Sequence, residues 1–134
     1  MNIVIQNRSV LIGHGLSAIV SLALLVDATV TLFYPETMRA EMDATGFSPA
    51  LLLPLGIIML ACTVLYTIPS TAFWGAVLTT GFLGGAICVH FRLGELGSPP
   101  QLVALVLGIA TWAGLYLRDE RVRSLFSGRI ERMH

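Results

Sequence analysis

The sequence predicts an all-α integral membrane protein: an antiparallel four-helix bundle with short loops and an amphipathic, Arg-rich C-terminal tail. Three observations carry this. Of the 134 residues, 55% are hydrophobic and only 12% charged, where a soluble domain carries about a quarter charged residues. The mean hydropathy is +0.81. Four apolar runs, at 10–33, 51–68, 73–91 and 99–117, approach the roughly 20 residues that a helix needs to cross a bilayer.

The first run contains Val26-Asp27-Ala28, which resembles a signal-peptidase site. An acid beside the cut is unusual and the apolar run continues past it, so the segment reads as the first span. The connection YPETMRAEMDATGFSP has Pro35 and Glu36 where a helix would begin and Gly46 where it would stop. It is either a short interfacial helix over the bundle's outer mouth or an irregular loop. Ser48-Pro49 and Ser98-Pro99 have the form of an N-cap followed by Pro at the first helical position, opening the second and fourth spans. Ile68-Pro69-Ser70-Thr71 is a tight turn that sets the second and third spans antiparallel. In the tail, residues 118–134, Val122, Leu125, Phe126, Ile130 and Met133 fall near one helical face. The tail is expected to lie on the membrane surface with its arginines toward anionic headgroups. No further domain or repeat is evident, and the chain reads as one transmembrane domain.

With four spans both termini share a side. That side carries Arg8, Arg118, Arg121, Arg123, Arg129 and Arg132, against Arg39 and Arg92 on the other. The excess predicts a multi-pass protein of the cell (inner) membrane with both termini cytoplasmic. Eight basic residues balance eight acids, and there is no Gly-rich phosphate loop, so no nucleic-acid or nucleotide partner is expected. Cys62 and Cys88 form no CxxC and no zinc-ligand cluster. Their depths differ by about 11 Å, too far for an intrachain disulfide, and both read as small buried hydrophobes. No metal or haem is expected.

The polar residues inside the spans are the informative ones. Asp27 lies about 9 Å inside the outer end of span one, and an ionised carboxylate at bilayer depth needs a partner or a wet cavity. Thr31 and Tyr34 continue its face at i+4 and i+7. Span three closes on GGAICVHFRLG, which puts His90 and Arg92 at the same end of the bundle as Asp27. His90 and Arg92 are therefore candidate partners for Asp27. They stand about 200° apart on the helix, so one of them is the direct partner unless the helix loosens near Gly94. The alternative for Arg92 is an interfacial, snorkelling side chain. His14 lies about 220° around from Asp27 and reads as an interfacial or packing residue. Gly75, Gly81, Gly84 and Gly85 leave span three smooth, and Gly81-x-x-x-Gly85 matches the small-xxx-small pattern of close helix packing.

These residues resemble the DoxX-like membrane proteins, a family of small four-helix proteins. The resemblance rests on Asp27 late in span one, on residues 53–94 with Tyr-x-Ile-Pro closing span two and Gly-Gly-Ala-x-x-x-His-x-Arg closing span three, and on a short fourth span ending in Gly114-Leu115-Tyr116-Leu117-Arg118-Asp119. It implies the four-helix architecture and a polar site of Asp27, His90 and Arg92. The family is named from subunits associated with thiosulfate:quinone oxidoreductase. With some members linked to membrane redox complexes, one expectation is an accessory subunit of a membrane redox system that holds a quinone or similar lipid-soluble ligand: His90 and Arg92 would donate to its carbonyls, Asp27 and His90 would relay a proton, and Thr31 and Tyr34 would join Arg92 in binding. No flavin is expected, and electrons would come from a partner protein. Two other functions fit the residues: a structural or assembly subunit of a membrane complex, or a homo-oligomer, in which the Asp27 cluster locks helices; and a small enzyme doing isomerase-type acid–base chemistry on a lipid-soluble substrate. Four short helices enclose too little volume for transport unless the chain oligomerises.

Overall fold

A computed structural model describes the backbone of residues 2–126 and the side chains of residues 7–126. The distal tail with Arg129, Ile130, Arg132 and Met133 lies outside the described residues. Helix α1 runs Asn2–Phe33, α2 Pro35–Thr45, α3 Leu52–Thr67, α4 Ala72–Arg92, α5 Pro99–Arg118 and α6 Glu120–Phe126, with a 3-10 turn at Pro49–Leu51. Four of these helices are long and apolar enough to cross a membrane. They form a ring in which α1 packs on α3 and α5, and α4 on the same two. All four lines of contact are antiparallel. The bundle thus has a base, with the start of α1, the end of α5 and the α3–α4 turn, and a cap end, with α2 and the α4–α5 loop.

The surface explains the composition. In the most apolar window of each span only 22–33% of residues are buried within the protein, so most of the apolar side chains point outward. Leu11, Ile19 and Leu22 of α1, Ile57 of α3, Trp74 of α4 and Val106 and Ile109 of α5 are all exposed. In water this would be a large, unfavourable apolar surface; in a bilayer it is the lipid contact. The core between the helices is narrow, built on Val20, Leu24, Ala28, Met59, Ala76, Leu83 and Leu115.

The helix ends follow from local chemistry. Tyr34 leaves the helical region (φ −127°, ψ 55°) because it precedes Pro35, which then opens α2 at a position where a missing N–H costs nothing. The connection between α1 and α3 thus contains a true helix rather than irregular loop. Ser48 caps the following turn, its Oγ accepting from the Ala50 N–H at 3.3 Å. The second capping expectation fails in detail. Ser98 occupies the N-cap of α5 without making a side-chain bond, and the Gln101 Oε1 accepts from the Gly97 N–H at 2.7 Å instead. At the base, Thr71 Oγ1 donates to the Leu65 carbonyl at 2.8 Å and holds the α3–α4 turn closed.

A buried polar knot ties the base. The Tyr66 side chain has no exposed surface. Its hydroxyl donates to the Thr111 carbonyl at 2.8 Å and accepts from Ser17 Oγ at 3.0 Å, joining α3 to α5 and α1. Arg118 Nη2 donates to the Tyr66 carbonyl at 2.7 Å, and its guanidinium lies 4.9 Å from the centre of the Tyr66 ring. Three glycines permit this closeness. A Cβ on Gly13 would stand 2.7 Å from the Arg118 nitrogen, one on Gly114 2.6 Å from Ser17 Oγ, and one on Gly75 2.6 Å from the Leu65 carbonyl carbon, against the backbone of Tyr66. Tyr66→Phe removes both hydroxyl bonds and leaves Ser17 without its partner. It is expected to lower stability by about 1 kcal/mol, the usual size for a hydrogen bond between membrane helices, read as a lower melting temperature in detergent.

Candidate ligand site

Two helix ends build the cap. Helix α4 ends in a Schellman motif: Gly94 adopts the left-handed conformation (φ 74°), its N–H bonds the Phe91 carbonyl at 3.0 Å, and the Glu95 N–H bonds the His90 carbonyl at 3.0 Å. Helix α2 ends the same way, with Gly46 at φ 73° and bonds from Gly46 and Phe47 back to Asp43 and Met42. Each motif reverses the chain within two residues, and each places a side chain that the site uses.

At α4 the reversal carries Glu95 back over the last turn. Its Oε2 lies 2.8 Å from His90 Nδ1. His90 is 7% exposed and is thus a buried imidazole oriented by a half-exposed carboxylate. With Nδ1–H given to Glu95, a neutral ring has Nε2 as its acceptor, and Nε2 makes no hydrogen bond to a described residue. At α2 the reversal presents the Thr45 carbonyl, which Arg92 Nη2 meets at 2.7 Å. A cation on the last carbonyl of a helix is well placed, and this bond fastens α2 to the end of α4.

Between α1, α3 and α4, under α2, is a cavity of about 570 Å³. Most of its wall is apolar, from Met38 and Met42 of α2, Phe47, Leu55 and Ile58 of α3 and Phe82 of α4. Its polar lining is Asp27 and Thr31 from α1, Glu41 and Thr45 from α2 and His90 from α4. Asp27 and Glu41 bear on one another electrostatically. Asp27 makes no hydrogen bond or ion pair with a described residue. The arginines at this end are committed elsewhere, Arg92 to Thr45 and Arg39 Nε to Glu36 at 3.0 Å. The cavity is therefore acidic: two carboxylates line it, a third stands behind the histidine, and no arginine lines it.

The family pattern of the DoxX-like proteins matches residues 15–114 of this chain, three quarters of its length. The chain belongs to the DoxX-like family. The matched stretch runs from α1 to Gly114 in α5, so it holds every residue lining the cavity and most of the polar knot at the base, with Arg118 just beyond. No curated protein and no solved structure matches the chain.

Within this DoxX-like protein the residues singled out from the sequence divide. Asp27, Thr31, Gly81, Gly85 and His90 line one cavity. Neither His90 nor Arg92 is bonded to Asp27, because each has a nearer acceptor, Glu95 and the Thr45 carbonyl. Tyr34 is 62% exposed and forms the corner between α1 and α2, outside the cavity. Gly75 lies at the base against α3. At Gly81, Gly84 and Gly85 nothing stands within 4 Å of where a Cβ would be. These three leave open space within the chain, Gly81 and Gly85 on the cavity side of α4 and Gly84 on the other. Glu95, Glu41 and Thr45 were not singled out from the sequence. Among the described residues no three His, Cys, Asp or Glu side chains converge on a metal site.

Proposed function

We propose that this DoxX-like protein holds a lipid-soluble molecule with a proton-donating head in the cavity beneath α2, and that the hydroquinone form of a membrane quinone is the best-fitting class. The observation that carries this is the acceptor capacity of the polar lining: Asp27 and Glu41 as carboxylates and Nε2 of a neutral His90 can each accept a hydrogen bond, while the nearby arginine is spent on α2. A quinone presents only carbonyls, which need donors; a hydroquinone presents two hydroxyls, which need acceptors. The apolar wall from α3 and α4 suits a ring and the start of a prenyl tail.

In this reading Asp27 receives one hydroxyl, with Thr31 beside it, and His90 Nε2 receives another. Glu95 keeps the imidazole in one tautomer and orientation, and would stabilise the charge it acquires on taking up a proton. Arg92 contributes by holding α2 over the cavity. A bound hydroquinone would supply electrons and protons to a partner, so the protein acts as an accessory subunit of a redox complex in the cell (inner) membrane, with its termini in the cytoplasm. The oriented His90–Glu95 pair opposite Asp27 also supports acid–base chemistry of the isomerase type, which would show as turnover by the purified protein with no electron donor present.

The test is gentle purification, solvent extraction and mass spectrometry for bound quinone species, with Asp27→Asn and His90→Gln alongside. Near-stoichiometric ligand is expected in the wild type, with a loss of about tenfold in either variant, as for a buried polar contact left unpaired. The variants should melt close to the wild type. Folded wild-type protein that carries no quinone species would return the function to a structural role in a complex.

A further inference from the structure

A second hollow lies on the opposite side of α4 from Gly81 and Gly85. It is a groove of about 720 Å³ between α4 and α5, lined along its length by Gly84, Leu83, Ala104 and Gly108 and ending at Tyr116 and Phe126. Two features define what it can take. Its polar side-chain atoms within the bilayer are already satisfied by each other: Trp112 Nε1 donates to Thr80 Oγ1 at 2.8 Å, and Thr80 donates to the Ala76 carbonyl at 2.8 Å. The groove thus offers hydrocarbon and no hydrogen-bonding demand. Its length, from Ala104 to Tyr116 on α5, is about 18 Å, one leaflet of a core about 30 Å thick.

The lower end is built rather than left open. Helix α6 folds back with Val122 buried at 2% exposure. The ring of Phe126 then packs edge-on against Trp112 and Tyr116, with centroids 6.3 and 6.2 Å apart. Arg121 and Arg123 flank this face of α6, one on each side of Val122. Arg123 Nη2 donates to the Leu117 carbonyl at 2.7 Å. The Arg121 side chain is exposed, with no side-chain bond to a described residue. Asp119 is turned to the start of α6, where its Oδ1 accepts from the Arg121 N–H at 2.9 Å.

We infer that this groove retains one phospholipid of the leaflet at the base, with an acyl chain lying along Gly84 and Gly108 and the phosphate on Arg121. The groove is one leaflet deep, dry in character and walled by aromatic rings at headgroup level, and on the adjoining α6 the exposed Arg121 side chain is bonded to none of the described residues. A second copy of the chain is the competing occupant.

The protein is purified into detergent, exchanged through several column volumes, and its phospholipid measured per chain by mass spectrometry and phosphorus assay. About one retained phospholipid is expected. Gly84→Leu, whose side chain enters open space, and Gly108→Leu, whose Cβ would only touch Leu83 at 4.0 Å, should each lower it about tenfold, and Arg121→Gln by a smaller factor. In the Trp74→Phe protein, Trp112 is the remaining tryptophan. Its fluorescence should be quenched by chain-brominated phospholipid in reconstituted vesicles, and less so after Gly108→Leu. Wild-type protein without retained lipid, equal retention in the glycine variants, or a dimer whose cross-links map to Gly84 and Gly108 would each overturn the assignment.

Discussion

Gly75→Ala is expected to destabilise the protein by about 3 kcal/mol, at the upper end for overpacking, while Gly81→Ala, six residues along the same helix, is neutral or slightly stabilising. Intrinsic propensity makes the same statement about both: alanine favours a helix over glycine by up to about 1 kcal/mol. The surroundings separate them. A methyl group on Gly75 would meet the backbone of Leu65 and Tyr66, which cannot rotate away as a side chain can. Relief requires α3 and α4 to part where the Thr71–Leu65 bond holds their turn closed. The displacement would also reach Tyr66 and loosen the bonds to Ser17, Thr111 and Arg118. At Gly81 the methyl group enters the cavity. Thermal melts of the two variants in one detergent make the comparison, and equal shifts would refute the close approach at the base.

Gly85→Leu should abolish ligand retention in the cavity, by more than about tenfold, with the melting temperature little changed. A leucine there has open space to enter, and the space it takes is the one between α3 and α4 from which Asp27 and His90 are reached. The adjacent Gly84 serves as the internal control. It faces the other hollow, so Gly84→Leu should leave cavity ligand intact and remove retained phospholipid. Two neighbouring glycines with reciprocal losses would establish two separate sites on one helix. Quinone analysis and phospholipid analysis of the same two preparations read both outcomes.

The architecture was legible because it depends on gross properties. Runs of apolar residues interrupted by Pro and Gly can only be spans joined by turns, while Pro35 and Gly46 marked where a helix could begin and stop without deciding between helix and loop. The site was legible in part. Asp27, Thr31 and His90 stand out as polar residues at one depth, and they do line one cavity. What stayed hidden was pairing. Glu95 lies past the end of the span and becomes the partner of His90 only because Gly94 turns left-handed and folds the chain back. Closing so short a loop costs little entropy, so the local carboxylate prevails over Asp27 across the bundle. The Arg92–Thr45 contact depends on where α2 ends in space, which no spacing within span three encodes. The glycines show the same limit. Gly75, Gly81, Gly84 and Gly85 are alike in composition and helix, yet one faces backbone and three face space. Tyr66 stood out only as part of a pattern, and nothing local marks it as the tie between three helices.

The two ends of the bundle are secured by different means, and this sets how the molecule can move. At the base, glycine contacts and the Tyr66 hydroxyl bring backbones together where no side chain can yield. At the cap, α2 is fastened to α4 by a single side-chain bond to a carbonyl. Between α3 and α4 the close approach is at Gly75 and the open space at Gly81 and Gly85, so these two helices part like the arms of tweezers, from their joined end. A molecule reaching the acidic chamber from the lipid needs no rearrangement of the whole fold. The Arg92 guanidinium is the side-chain bond between α2 and α4, α2 being otherwise seated by the buried Met42 and Thr45, while the joined end keeps the four spans in register.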